Sequence, residues 1–129
     1  MILYEILGII LLHWIADFVL QSHEDAVGKY KSIKHLLNHT ISYSIVMWLG
    51  IVTITSRIAN IPLHSKWIDG IFLFWLITLV THTLIDYFTS KWSHKLFKQK
   101  KYHEFFTLLG FDQVLHSFQL FITYRLLFL

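Results

Sequence analysis

Four long apolar runs constrain this chain more than any other feature of its sequence. They cover approximately residues 2–21, 33–55, 67–88 and 105–128. Each run is long enough to cross a hydrocarbon layer about 30 Å thick at a rise of about 1.5 Å per residue. Because lipid offers the backbone no hydrogen-bond partners, each run should be a helix. The sequence therefore predicts an all-α integral membrane four-helix bundle, with residues 1–129 forming a single domain.

The composition agrees with lipid as the solvent of these runs. The 129 residues are 55% hydrophobic and only 15% charged, whereas a soluble domain of this size needs more polar surface. The chain has no cysteine, which excludes disulfides and thiolate metal sites. The first run has no basic start and no small-residue cleavage site after it, so we interpret it as a span and not as a signal peptide. Pro62 falls between the second and third runs, where a helix break is expected.

The basic residues predict how the chain is oriented. Eight of the eleven Lys and Arg residues fall in the connectors after the first and third runs or within two residues of them. Those two connectors lie on the same side of the membrane if all four runs span it. The positive-inside rule then places that side in the cytoplasm and both termini outside.

A short motif occurs in both the first and the third run. Residues 13–18 read HWIADF and residues 82–87 read HTLIDY, so each run has a histidine, an aspartate four residues later and then an aromatic residue. This repetition leaves open an arrangement of two similar helical hairpins related by an axis along the membrane normal.

Each run also contains one pair of metal-capable side chains four residues apart. Residues with this spacing lie on one face of a helix, one turn above the other. The pairs fall in the C-terminal halves of the first and third runs and in the N-terminal halves of the other two. All four pairs should therefore lie at one depth, near the cytoplasmic face. They are His13 with Asp17, His35 with His39, His82 with Asp86, and Asp112 with His116.

The three carboxylates in this layer need compensation. Each costs about 2.5–3.5 kcal/mol at the centre of a membrane helix, and no Lys or Arg is expected at their depth. Imidazole and carboxylate ligands without thiolate favour a transition metal such as Zn, Mn, Fe or Co. Eight ligands exceed the four of one tetrahedral site, so the sequence predicts two divalent ions with a position open to water or substrate. The alternatives are a metal-free polar network, a proton relay and a bound haem, the last disfavoured by the carboxylates.

Several polar residues are candidates for roles around the metals. Asp17, Asp86 and Asp112 are the candidate catalytic residues, either bridging the ions or acting as a general base. Gln21 continues the first helical face and Gln113 adjoins Asp112. These two amides could orient the imidazoles or form hydrogen bonds between helices.

With these motifs the chain resembles a family of small bacterial and phage integral-membrane proteins of unknown function. The family is similar in plan to small membrane proteins described as metal-dependent hydrolases. The resemblance implies a multi-pass location in the bacterial cytoplasmic membrane, and it supports the positions of the site more than any reaction. The matching motifs are H-x-x-x-D-F-x-L-Q at His13 to Gln21, the pair His35 and His39, H-x-x-x-D-Y at His82 to Tyr87, and D-Q-x-x-H at Asp112 to His116.

Three functions are compatible with the sequence. The first is a metal-dependent hydrolase that cleaves a phosphate-bearing or lipidic ester. The second is a transporter or channel for divalent metal or protons, which requires polar groups across the whole membrane, whereas the outer halves of the runs are almost wholly apolar. The third is a di-iron oxidoreductase acting on lipid. Membrane lipid and an anionic or lipidic substrate are the expected partners, no nucleic acid is expected, and a homo-oligomer is left open.

Overall fold

The computed structural model of the chain describes residues 2–58 and 65–129. Pro62, and the helix break expected there, lie outside the described residues. Within the described ranges the chain is helical and contains no strand, so the predicted all-α class is confirmed for them. The elements are α1 (Ile2–Trp14) followed by a π-helical turn (Ile15–Val19), α2 (His23–Gly28), α3 (Ile33–Thr53) followed by a second π-helical turn (Ile54–Ile58), α4 (Ser65–Lys98) and α5 (Tyr102–Phe128).

Within the described residues, three helical segments are long and apolar enough to cross a membrane, namely Ile33–Ser56, Lys66–Lys98 and Tyr102–Phe128. The first apolar run is interrupted, because 13 residues of α-helix give way to five residues of π-helix. Exposed apolar side chains such as Ile45, Leu84 and Phe118 cover the outside of the structure. So large an apolar surface is typical of a protein surrounded by lipid.

Helix α4 is longer than the apolar run that predicted it. The run ends at residue 88, but the helix continues through a polar stretch to Lys98, because that stretch contains no Pro or Gly to stop it. The helix ends where Lys100 adopts a positive φ of 58° and the Lys101 N–H donates to the Leu96 carbonyl at 3.0 Å. This is a left-handed C-terminal cap, and it lets α5 begin at once and pack back along α4.

The helices enclose two kinds of interior. Helix α4 packs along α3 and α5, and α1 contacts both α3 and α5. One half of the interior is an apolar core that includes Ile9, Met47, Ile51 and Phe74. The other half, toward the basic connectors, contains buried His and Asp side chains. A glycine allows the close contact of α1 with α3, since a Cβ at position 50 would lie 1.8 Å from Leu12 Cδ2.

Candidate metal centre

The structure brings six of the eight sequence-predicted ligands into one buried cluster. They come from the π-helical turn after α1 and from α3, α4 and α5, and none is more than 7% exposed. The π-helical turn is closed by the Leu20 N–H, which donates to the Ile15 carbonyl at 2.9 Å, and such turns are frequent at functional sites. The six residues are Asp17, His39, His82, Asp86, Asp112 and His116.

Four side-chain atoms at the centre of this cluster face one another. Asp17 Oδ1 lies 3.1 Å from His39 Nε2 and 3.6 Å from His82 Nε2. Asp86 Oδ2 lies 3.3 Å and 3.7 Å from the same two nitrogens. The two nitrogens are themselves 3.2 Å apart. We call these atoms the four-atom set.

The spacing of the four-atom set fits a bound cation. Separations of 3.6 and 3.7 Å are too long for hydrogen bonds, and each neutral imidazole has a single ring proton to donate. Ligand atoms around a tetrahedral ion, at about 2.0–2.1 Å from the metal, stand about 3.3–3.4 Å apart. Five of the six separations in the set, 3.1–3.7 Å, bracket that value. Asp17, His39 and His82 have ligand atoms that all lie within 4.8 Å of one another, so these buried groups could hold a metal ion.

A second group of candidate ligands shares residues with the first. His82, Asp86 and His116 also have ligand atoms within 4.8 Å of one another. His116 Nε2 lies 3.3 Å from Asp86 Oδ1 and 3.5 Å from Asp112 Oδ1. Asp86 Oδ2 therefore belongs to the four-atom set, whereas Asp86 Oδ1 faces His116 of the second group.

Ring stacking holds two of the imidazoles in place. The Tyr43 ring stacks on His82 with a centroid distance of 3.8 Å, and His82 stacks on His116 at 4.1 Å. The Nδ1 atoms of both histidines are buried without a hydrogen-bond partner among the described residues. Packing, and not a hydrogen bond to the second nitrogen, thus sets the orientation of these rings.

Gln113 connects two of the carboxylates through its amide group. Its Nε2 donates to Asp17 Oδ2 and to Asp112 Oδ2, both at 3.0 Å. Its Oε1 is 3.0 Å from His13 Nε2, and His13 Nδ1 is 2.7 Å from the Tyr43 hydroxyl. Since Oε1 can only accept, His13 donates from Nε2 and accepts from Tyr43 at Nδ1. Both nitrogens of His13 are occupied, and the residue lies beside the cluster without directing a free nitrogen into it.

We expect Gln113→Leu to lower metal affinity about 10–100-fold, the effect typical of removing a partner that orients a ligand. Leucine is similar in size, but it would leave Asp17, Asp112 and His13 without their amide partner. The measurement is a competition titration of the purified protein against a metal chelator. Gln119→Leu is the control, because the Gln119 amide, among the described residues, bonds to Thr78 and Thr123 and to no residue of the cluster. Equal affinities in the two variants would contradict the orienting role of Gln113.

The expectation that no basic residue reaches the carboxylates is wrong. Lys29 follows α2, and its Nζ donates to Asp86 Oδ2 at 2.8 Å. Burial lowers the pKa of Lys29, but the carboxylates of Asp86 and Asp17 more than offset this and raise it above its ordinary value. With neutral imidazoles, three carboxylates and one ammonium leave the cluster with two negative charges. One divalent ion would neutralise it, and a second would make it cationic.

The cluster lies within a segment that matches a known family. A model described as a protein of unknown function (DUF3307) matches residues 6–129. The chain belongs to the DUF3307 family. The resemblance to a family of unknown function is thereby confirmed. No curated protein and no solved structure matches the chain.

The structure places two other predicted residues of this DUF3307 protein outside the cluster. His35 Nδ1 pairs with Asp25 Oδ1 at 2.8 Å, and this hydrogen bond holds the pKa of Asp25 below its ordinary value. The His35 ring packs on Gly28, where a Cβ would lie 2.7 Å from the ring. The Gln21 amide nitrogen is buried and has no hydrogen-bond partner in the described part of the chain.

Three residues that the sequence reasoning missed contact the cluster of this DUF3307 protein. Tyr43 stacks on His82, Thr89 donates from Oγ1 to Asp112 Oδ1 at 2.6 Å, and Lys29 pairs with Asp86. Tyr43 is four residues after His39, and Thr89 is three after Asp86, so following each helical face for one more turn would have found both. No helical pattern predicts the contact of Lys29 with Asp86, because Lys29 lies in a connector and not on the face of a predicted helix.

A cavity opens from the cluster of the DUF3307 chain toward the basic end of the structure. It has a volume of about 610 Å³, and Asp86, Asp112, Thr89 and Lys29 lie at the end nearest the cluster. The volume is within the range of small-molecule sites. A small molecule that enters this cavity can therefore reach Asp86 and Asp112, two of the candidate metal-binding side chains.

Proposed function

We propose that this chain is a membrane-embedded metal-dependent hydrolase with a dinuclear centre near the cytoplasmic face. Its substrate is a phosphate-bearing or lipidic ester. One observation carries the proposal: Asp86 directs one oxygen at the four-atom set and the other at the second group, and both Asp86 and Asp112 line the cavity. Candidate ligands for two ions thus lie beside a space that a substrate could enter.

The proposal includes a membrane arrangement. The four apolar segments form a four-helix bundle with both termini outside, in the cytoplasmic membrane of a bacterium. The contacts of α1 with α3 and α5 support the bundle, and the lysines of the first and third connectors support the orientation. The cavity then opens at the cytoplasmic interface.

Each carboxylate has a separate role in this mechanism. Divalent ions of Zn, Mn or Fe would activate water for attack and stabilise the developing negative charge. Asp17 and Asp86 would hold the ions, and Asp86 has one oxygen facing each group of candidate ligands. Asp112 lies at the cavity and accepts a hydrogen bond from Thr89 at Oδ1. Its oxygens are placed to accept the proton that the attacking water loses.

The apolar core favours hydrolysis over transport. A metal or proton path would have to continue from the cluster toward the outer end of the helices. Ile9, Met47, Ile51 and Phe74 are completely buried there and pack against one another. Beyond them Glu5 is buried near Tyr124, and the polar side chains that lie between this carboxylate and the cluster, such as Thr78 and Gln119, are uncharged.

Metal-dependent hydrolysis tests the proposal directly. The full chain is purified in non-ionic detergent, stripped with a chelator and reloaded separately with Zn, Mn or Fe. We expect about two equivalents of one metal to bind and to restore hydrolysis of phosphomonoester, phosphodiester or carboxylic ester probes. Vesicles containing the protein should show no metal or proton flux. Flux without hydrolysis under any metal would overturn the proposal in favour of transport.

A further inference from the structure

The cavity beside the cluster has two chemically different sides. Polar groups lie on the side near α2 and the middle of α4, including Lys29, Thr89 and Ser90. Aromatic and aliphatic side chains, including Phe105 and Leu109 of α5, form another part of the lining, which we call the apolar side. A cavity with this division fits a ligand that has one charged end and one hydrocarbon end.

The polar side is suited to a phosphate group. The Lys29 ammonium has three protons, of which one is donated to Asp86, so others remain for a ligand. Ser90 Oγ is buried and, among the described residues, has no hydrogen-bond partner. Ammonium and hydroxyl donors together recognise phosphate oxygens through short, charge-assisted hydrogen bonds. Two divalent ions would also leave the cluster positive, which favours an anion next to Asp86.

The apolar side is suited to a hydrocarbon chain. Phe97 is 55% exposed, and Phe105 and Leu109 are half-buried, so a chain lying along them would remove apolar surface from water. This wall lies where α4 continues past the end of its apolar run. That position corresponds to the membrane interface, where lipid headgroups and chains meet.

We propose that this cavity binds a lipid phosphate monoester, with its phosphate at Lys29 and Ser90 and its chain along Phe105 and Leu109. The identification of this ligand as the substrate rests on the proposed function, whereas its binding does not. A water-soluble phosphate ester offers the same charged end, and the hydrocarbon chain distinguishes the two.

Binding of three probes to the metal-loaded full chain tests this assignment. The probes are a monoacylglycerol phosphate, the uncharged monoacylglycerol with the same chain, and glycerol phosphate. We expect the monoacylglycerol phosphate to bind at least about 10-fold more tightly than either of the others, because only it uses both sides of the cavity. Equal binding of glycerol phosphate, or of the uncharged lipid, would overturn the proposal.

Paired variants locate the two ends of the ligand. Lys29→Met and Ser90→Ala should each weaken the lipid phosphate, by about 10-fold or more for the lysine, and leave the uncharged lipid unaffected. Lys98→Met is the control: it also removes one positive charge, from a part of α4 outside the cavity, and it should change the affinity for neither lipid. Leu109→Trp should fill the chain site and weaken both lipids, whereas Phe111→Trp, on the exposed surface of α5, should not.

These outcomes separate the inference from the proposed function. Metal content is measured for every variant, so that Ser90→Ala still reports on phosphate binding if Lys29→Met loses its metal. Selective binding of the lipid phosphate without release of inorganic phosphate would support the ligand and contradict hydrolysis. Equal effects of Lys29→Met and Lys98→Met, together with no effect of Ser90→Ala, would overturn the phosphate site.

Discussion

Replacing His39 with alanine should remove bound metal from the protein, whereas replacing His35 should leave the metal in place. His39 Nε2 faces Asp17 Oδ1, Asp86 Oδ2 and His82 Nε2 at 3.1–3.3 Å. Removing it deletes one of the four atoms that would surround the first ion. We expect affinity to fall by more than about 100-fold, beyond the loss typical of an outer partner.

His35→Ala is the matched control for His39→Ala. Both residues are histidines of α3, one helical turn apart, and only His35 pairs with Asp25 outside the cluster. Metal content of the detergent-purified proteins is measured by elemental analysis, and helix content by circular dichroism. The assignment fails if both variants lose metal to the same extent, or if His39→Ala retains it with an unchanged affinity.

His35 and His39 show what sequence periodicity can predict about a site and what it cannot. The spacing of four residues placed both on one face of α3, and the structure keeps them there. Periodicity cannot specify what packs over each turn of that face. At His35 it is α2, through Gly28 and Asp25, so the next turn alone faces the cluster.

The connectors account for most of what the sequence did not predict. Lys29 reaches Asp86 because α2 folds against α3, with the Ser22 hydroxyl capping its first turn by accepting from the Asp25 N–H at 3.1 Å. Hydropathy detects apolar runs, and this segment is polar. Most of the cavity was missed for the same reason, because Ser90 and Phe97 lie in a helical extension that hydropathy assigned to a connector.

The π-helical turn after α1 was also not predicted, because the sequence pattern was interpreted as a regular α-helix. In an ideal α-helix, His13 and Asp17 would lie one above the other on one face. Here the chain widens from Ile15 to Val19. Asp17 Oδ1 then meets His39 and His82, while His13 Nδ1 bonds to Tyr43, and Gln113 bonds to both His13 and Asp17. The i, i+4 spacing identified both residues but not their separate roles.

Asp86→Asn and Asp112→Asn should give different metal counts. Asp86 faces both groups of candidate ligands, so Asp86→Asn should reduce binding from about two equivalents to none at concentrations that saturate the native protein. Among the candidate ligands in the described residues, Asp112 Oδ1 approaches His116 of the second group, at 3.5 Å, and no atom of the four-atom set, so Asp112→Asn should retain about one equivalent at that set. Both substitutions keep the size of the side chain, which limits effects on packing.

Hydrolysis should nevertheless be lost in both variants, for different reasons. Asp86→Asn would lack the ions that activate water, whereas Asp112→Asn would keep one ion and lose the proposed base, a loss of about 10²–10⁴-fold in rate. Elemental analysis and rate measurements on the same preparations give both quantities. Two retained equivalents in Asp112→Asn would show that Asp112 is no ligand, and one retained equivalent in Asp86→Asn would show that Asp86 does not bridge. The two variants therefore distinguish the loss of both ions from the loss of one ion together with the proposed base, although both aspartates line one cavity.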